Sequence, residues 1–496
     1  MNSRIIYILV FIVYILASIG VSAYVKKKEA HKDSQSFLLG DRSIGPWPIA
    51  FSFVATLVSA SLFMGSGPKV YKQGWSFAIY GILLLNLGIV LAWVLYAKRL
   101  SHLTTKFNTL TLADLFNYRY HSKGIKYFSS IATIVVYIPL MGSQLVAAGK
   151  LFQTIFGMPF WSGIVIVGAV LTLVTAMGGF KSVVYNDFFQ GIIMYGIFFV
   201  LVPVMLWHVG GLTQMNLRLA KELPSFFVMK NSYWNPLMIT SWFFYFLFGL
   251  NLAQPTLLVR FLACKNNNVI KRAFPLAVTC HAFGIFSISI VMMAAALVFP
   301  GIQDRETIFP TIVANLLNPV IGGMALCAVF ACMISTVDSM LLVASSSFAE
   351  DIYRGLLKKD ATERQIYNAG IISTVLIGIF AMITAIYSGN GVLDLIVLAE
   401  SCLIPIYLFS VLGVTHLKRI NSTGVLAGMI CGSITAFVWE LKYSWDICVP
   451  VMPAIIVCAV VTLVVSYLTP APAFAVVDAF WGKTTKQELI DYYEQK

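Results

Sequence analysis

The stretch CMISTVDSMLLVASSS, Cys332 to Ser347, places several hydroxyls and one carboxylate, Asp338, inside a long apolar run. On a helix, Ser335, Thr336 and Ser339 share one face through their i, i+1, i+4 spacing, with Asp338 at its edge. Two successive turns therefore offer oxygen ligands. Hard cations take several oxygens in a compact shell. Neutral hydroxyls and carbonyls suit a monovalent ion that must bind and then leave. Single serines in membrane helices more often bond to their own backbone or hold helices together. A carboxylate is harder to explain that way, because it costs about 2.5–3.5 kcal/mol at a bilayer centre on insertion scales.

Two further acids lie in apolar surroundings: Asp187 in GGFKSVVYNDFFQG and Glu400 in LIVLAESCLIP. Asp187 stands at the start of a span, where the helix dipole alone would account for it. Glu400 either pairs with a buried donor or lines a solute path. The neutral polar residues inside apolar runs are Gln144, Asn251, Gln254 and His281. Asn251 and Gln254 lie beside Pro255 and are the better candidates for lining a site. Arg260, farther along the same run, reads as an interfacial anchor. Aromatic residues such as Phe77, Tyr80 and Phe244 are candidates for a pocket wall, although most aromatics here pack or meet lipid.

These residues must be held by membrane helices. The chain has 496 residues, of which 59% are hydrophobic and only 11% charged, against about 25% charged in soluble domains. Apolar runs of about 20 residues, the length that spans a bilayer, recur from end to end. The fold class is all-α integral membrane with about thirteen transmembrane helices. They run roughly Ile5–Tyr24, Trp47–Tyr71, Trp75–Ala97, Ile125–Phe156, Phe160–Met177, Phe188–His208, Pro236–Leu258, Ala273–Phe299, Phe309–Phe348, Ile366–Tyr387, Val392–Leu417, Thr423–Leu441 and Cys448–Leu468. Phe309–Phe348 is long enough to include an interfacial turn. The first run is followed by Lys26, Lys27 and Lys28, a retention flank, and reads as a helix and not as a cleaved signal. Eight cysteines scattered singly show no metal or disulfide spacing and read as small apolar fillers.

With the loop after the first span on the cytoplasmic side, most of the 34 basic residues fall on that side, Lys32 and Lys496 among them. The positive-inside rule then puts the N-terminus outside and the C-terminus in the cytoplasm. It also accounts for the net charge of +13 without nucleic acid. A multi-pass protein of the plasma (inner) membrane is expected.

The second span, FVATLVSASLFMGSGPKVY, is interrupted by Gly65, Gly67 and Pro68 near its outer end. The seventh, FGLNLAQPTLLVRF, carries Gly249 and Pro255. Proline frees carbonyls that need other partners. Interrupted helices at matching positions five spans apart point to an inverted-repeat transporter with its site near the midplane. The expected division is 1–43 first helix and loop, 44–210 first repeat, 211–420 second repeat, 421–469 two further spans and 470–496 a cytoplasmic tail. That tail is too short for a signalling domain. No nucleotide-binding loop or hydrolase motif appears, so the chain is not expected to be an enzyme, and an ion gradient is the natural energy source.

The segments FLLGDRSIGPWPIAFSFVATLVSASLFMG, FNTLTLADLFNYRY, TAMGGFKSVVYNDFFQG, LAQPTLLVRF and MISTVDSMLLVASSSFAEDIYR resemble the sodium:solute symporter family, nearest its bacterial sodium/pantothenate and sodium/proline members. The resemblance spans nearly the whole chain and is weak on substrate. It implies two inverted five-helix repeats in a leucine-transporter-like core. It implies a main Na+ site between the second and ninth spans, made by the carbonyls of Ala55, Val58 and Cys332 and the hydroxyls of Ser335 and Thr336. A second Na+ site in some members would here use Asp187, Asp338 and Ser339. The proline symporters carry an aspartate at the position of Leu57, and its replacement here leans towards the pantothenate branch.

The expectation is therefore Na+-coupled import of a small organic solute, a pantothenate-like carboxylate or an amino acid, by alternating access. Ser59, Phe77, Gln144, Asn251 and Gln254 are the candidates for solute contact. The expected partners are the solute, sodium ion and the lipid bilayer; the oligomeric state is not legible. The alternatives are H+ coupling through Asp187, Asp338 or Glu400, a transporter-like sensor, and a channel.

Overall fold

A bilayer core offers no water to backbone amides, so a chain this apolar must satisfy them within helices or a closed barrel. The computed structural model takes the helical solution and has no strand among the described residues. These are 3–28, 33–228, 235–304, 307–387, 392–443 and 447–495, with the side chains of 81–83 and 392–395 excepted. Lys32 and Lys496, counted above among the cytoplasmic charges, lie outside the described residues.

Among the described residues, twelve helices are long and apolar enough to cross a membrane. They are Ser3–Lys28, Pro46–Met64, Trp75–Phe107, Lys123–Phe156, Phe160–Val209, Pro236–Leu262, Asn267–Val298, Pro319–Leu357, Glu363–Tyr387, Ile396–Thr415, Ser422–Tyr443 and Val451–Leu468. Twelve instead of thirteen reflects one continuous stretch, Phe160–Val209, of 50 residues. At about 1.5 Å per residue it would reach roughly 75 Å, more than twice the hydrocarbon thickness of about 30 Å. Gly179 breaks it, with φ 54° and ψ −157°. A Cβ there would lie 2.7 Å from the Phe37 carbonyl oxygen, so both the backbone angle and the space require glycine. Residues 160–178 and 180–209 are thus the fifth and sixth spans, and the numbering of thirteen is kept below.

The interfacial turn expected before the ninth span is present. A short helix, Ile308–Leu316, ends there, and Asn318 caps the next by accepting from the Ile321 amide at 3.0 Å. The ninth span lies at the centre, 83% buried in its most apolar window, whereas the first is 28% buried and faces outward. The first span packs against the fifth, sixth and ninth, and the second against the sixth, eighth and ninth. The twelfth and thirteenth spans pack on each other and on the eleventh.

The tail is folded back against one end of the helical bundle. Two short helices, Phe474–Trp481 and Lys486–Glu494, dock under the third span and the helix Leu112–Tyr120. Arg99 donates to the Phe480 carbonyl at 2.6 Å and Lys106 to that of Ala479 at 2.7 Å. The Tyr493 ring stacks on His121 with centroids 3.7 Å apart.

Candidate functional site

The second span breaks earlier than its glycines suggest. Its first half, Pro46–Leu57, stops at Val58, whose ψ of 80° leaves the helix, and a short segment resumes at Ser61. Ser59 N–H turns back to the Leu57 carbonyl at 3.1 Å. Ala60 N–H donates to Gln144 Oε1 at 2.9 Å, and Ser61 N–H to Ser59 Oγ at 3.3 Å. The helical i to i−4 partners of the Ala55 and Thr56 carbonyls are thereby taken elsewhere. The ninth span supplies replacements. Ser335 Oγ donates to Ala55 O at 2.9 Å, and Thr336 Oγ1 lies 3.2 Å from Thr56 O. Both hydroxyls also approach the Cys332 carbonyl, at 3.2 and 2.9 Å. Five oxygens from two buried segments converge here with no formal charge, a donor set that suits a small monovalent cation. Ala55, Cys332, Ser335 and Thr336 come together as expected. In place of the third expected carbonyl, that of Val58, Thr336 meets the carbonyl of Thr56, and Val58 forms the bend itself.

The residues expected to share a second ion are arranged differently. Ser339 and Asp187 face a guanidinium, that of Arg260, which is 1% exposed. Arg260 Nη2 lies 3.2 Å from Asp187 Oδ2, 2.5 Å from Ser339 Oγ and 2.6 Å from Thr56 Oγ1. Its Nε donates to Ser52 Oγ at 3.1 Å and its Nη1 to the Thr256 carbonyl. Ser52 in turn donates to Asp187 Oδ2 at 2.5 Å. Arg260 is therefore not an interfacial anchor but ties the second, sixth, seventh and ninth spans. Asp338 is one residue, about 100° of helix rotation, from Ser339. It turns to the fifth span and accepts from Thr175 Oγ1 at 2.7 Å.

The seventh span is broken too. Its helix passes through an irregular turn at Phe244–Gly249 and ends at Ala253. Gln254 is extended, and Pro255 starts the inner half at its N1 position. Two narrow cavities lie between the two breaks. The inner one is lined by Thr56, Ser59, Gln144, Gln254, Thr336 and Glu400, among others. The outer one continues past Ser59 and Glu400 to an aromatic wall of Phe77, Trp242, Tyr245 and Phe246. Ser59, Phe77, Gln144 and Gln254 thus line the cavities. Gln144 also holds the break, its Oε1 accepting from the Ala60 amide while its Nε2 donates to Ser143 Oγ of its own span at 3.1 Å. Asn251 lines neither cavity. Its Nδ2 donates to the Leu85 and Phe246 carbonyls at 3.3 and 3.2 Å, tying the seventh span to the third. That contact depends on Gly88, where a Cβ would sit 2.5 Å from Asn251 Nδ2.

Glu400 closes the space between the breaks from the eleventh span. It is 5% exposed. Its Oε2 accepts from the Tyr245 hydroxyl, and its Oε1 from Gln254 Nε2 at 3.3 Å. Among the described residues, no lysine or arginine side chain lies within ion-pair distance of it. Thr56, Arg260, Tyr245 and Trp242 were not singled out as site residues from sequence. The one signal available was an arginine and a span-embedded threonine, neither of which announces a partner.

The chain matches the family described as "Sodium:solute symporter family" over residues 37–432. It is 31% identical over 464 residues to the high-affinity proline transporter PutP of Bacillus subtilis, covering 90% of this chain and 94% of that one. It is 30% identical to the sodium/proline symporter of Staphylococcus aureus, covering 94% of this chain and 93% of that one. A Na+-coupled sialic acid symporter, solved substrate-bound and outward-open, superposes with a TM-score of 0.82 at 20% identity, over 94% of this chain and 98% of that one. A nucleobase-cation-symport-1 family transporter matches at 0.57 and 12% identity, over 90% and 98%. These likenesses and the paired helix breaks make the fold that of leucine-transporter-like carriers. The two broken helices, the oxygen cluster behind the first of them and the match over most of the length agree that this chain belongs to the sodium:solute symporter family.

Proposed function

We propose that this Na+-coupled symporter of a small solute binds one Na+ at the Ala55, Thr56, Cys332, Ser335 and Thr336 oxygens. The solute binds in the adjoining cavities between Ser59, Gln254 and Glu400. The observation that carries this reading is the break at Leu57–Ala60, which frees two carbonyls at the point where two hydroxyls of the ninth span face them. Unwound carbonyls of broken helices are the ion ligands that such folds provide. An ion shared between the second and ninth spans favours whichever state holds them together. A solute that favours the same state is then coupled to it by reciprocity alone.

Arg260 supplies a fixed positive charge where a second ion was expected, beside Asp187 and Ser339. The reading therefore carries a single Na+ per cycle. The distribution of basic residues supports an N-terminus outside and a C-terminus in the cytoplasm, in a plasma membrane whose Na+ gradient drives uptake. The proline transporters among the relatives favour an amino acid over a pantothenate-like carboxylate as solute. The test is Na+-dependent uptake in proteoliposomes. Thr336→Ala should raise the Na+ concentration for half-maximal uptake by about tenfold or more, equivalent to about 1.4 kcal/mol of ion affinity, at unchanged expression. A Na+ activation curve with Hill coefficient near one is expected. Unchanged Na+ dependence in the variant sinks the ion site, and a coefficient near two sinks the single-ion count.

A further inference from the structure

Glu400 is a buried acid with no lysine or arginine at ion-pair distance among the described residues. Asp187, at comparable depth, has Arg260 at 3.2 Å. Glu400 has a tyrosine hydroxyl and a glutamine amide, one within hydrogen-bond reach of each carboxyl oxygen. A carboxylate offers about four lone-pair sites, and two protein donors leave the others facing the cavities that Glu400 lines on both sides. A desolvated carboxylate left this way takes up a proton unless a cation or further donors stand close by to hold it ionised. Among the described residues, neither cavity lining contributes a lysine or arginine. Lys69 sits over the Trp242 ring at 5.1 Å and is not among the residues of either lining.

The surroundings suit a cationic group. Trp242 stacks on Phe246 with centroids 5.0 Å apart and meets Phe77 and Tyr245 edge-on at 5.8 and 5.5 Å. Aromatic faces attract an ammonium in a dry site. Thr336 lines the inner cavity together with Glu400. A solute reaching between the two meets an anion at Glu400 and, at Thr336, the proposed Na+.

We infer that Glu400 recognises a protonated amine on the solute, so that the cargo is a small zwitterion with its ammonium at Glu400 and its carboxylate towards the Na+ side. This rests on the symport reading above and narrows its substrate class. A carboxylate without an amine is disfavoured, because nothing then compensates Glu400 and a second negative charge is brought near it. The ion pair is charge-assisted and made away from water, where such bonds are strongest.

The test uses the full chain in proteoliposomes and detergent, with the intrinsic tryptophan fluorescence read on adding Na+ and then solute. The probes are the twenty protein amino acids and betaine. Pantothenate is added, as is cyclopentanecarboxylate, which has the ring and carboxylate of L-proline but no amine. At least one amine-bearing probe should bind in a Na+-dependent way. An amine-free partner of the same shape should bind about 30-fold or more weakly, as expected when a site's buried polar group loses its partner. Glu400→Gln should shrink that ratio to a few-fold. The wild-type ratio needs no variant, so misfolding of Glu400→Gln does not rescue the idea. Na+-dependent binding of pantothenate or cyclopentanecarboxylate as tight as any amine overturns the inference and leaves the symport reading intact. A Na+ response with no amine-bearing probe binding overturns it as well. A protein that shows no response to Na+, with or without any probe, fails the parent reading instead.

Discussion

Asp187 and Glu400 are both buried carboxylates in a membrane protein, and the protein treats them in opposite ways. Asp187 is held in a knot of four spans by a guanidinium, a serine hydroxyl and the residues they touch in turn. Glu400 is held by two neutral donors from the seventh span and faces open space on either side of the Gln254 break. A charge satisfied by the chain itself fixes helices to one another. A charge satisfied only in part leaves a demand that a visiting molecule can meet. The difference separates the scaffold of the transporter from its binding surface, although both acids look alike in the sequence.

The largest effect should come from the knot. Arg260→Met leaves Asp187 buried without its cation, and breaking such a pair by removing one partner costs about 3–5 kcal/mol. Thermal unfolding in detergent should show a marked loss, and a further Asp187→Leu change should recover part of it, since a buried pair replaced by apolar groups is near neutral. Additive losses in the double variant would dissolve the distinction drawn here. Next is Gln144→Leu, which strands the Ala60 amide at the break and should cost about 1–3 kcal/mol while also weakening Na+ activation. Glu400→Gln comes after it. It keeps an acceptor for Tyr245 and should cost about 1 kcal/mol or less in stability while impairing uptake strongly. A stability loss as large as that of Arg260→Met would place Glu400 in the scaffold instead.

The smallest effect concerns a carboxylate outside the membrane. Asp478 accepts from the Thr484 hydroxyl and amide at 2.6 and 2.9 Å and from the Lys483 amide at 3.2 Å. The Thr484 hydroxyl and amide hold its pKa below the ordinary value. The stabilisation of the tail is thus present above the ordinary carboxylate range and is lost as pH falls through the depressed value. Limited proteolysis after residue 470 should increase below about pH 4, and Asp478→Asn should show the increase already at neutral pH.

The spans and their order were legible because a bilayer demands runs of fixed length and apolarity. The helix breaks were legible in kind. Pro255 marks the seventh correctly, since proline acts on its own chain. The break in the second span was read at Gly65 to Pro68, and a further kink does lie at Gly65. The functional break at Leu57–Ala60 has no glycine or proline, and its amides and carbonyls are captured by Gln144, Ser335 and Thr336 from distant spans. Such a break is written in tertiary contacts and not in local propensity. The same holds for Arg260, whose carboxylate partner is 73 residues away, and for Glu400, whose tyrosine is 155 away. Ser335 and Thr336 were legible because spacing on a single helix decides their common face.

The bend at Gly179 joins two crossings with no connecting loop. A V-shaped pair with a one-residue apex has no slack, so the fifth and sixth spans transmit displacement like the two arms of a bell crank. The apex presses on Phe37, in the segment leading to the second span, and the neighbouring Gly40 lies against Lys181. A peptide tag or protease site inserted at Gly179 should therefore stop the machine, while the same insertion near residue 360, in the longer connection between the ninth and tenth spans, should leave it running.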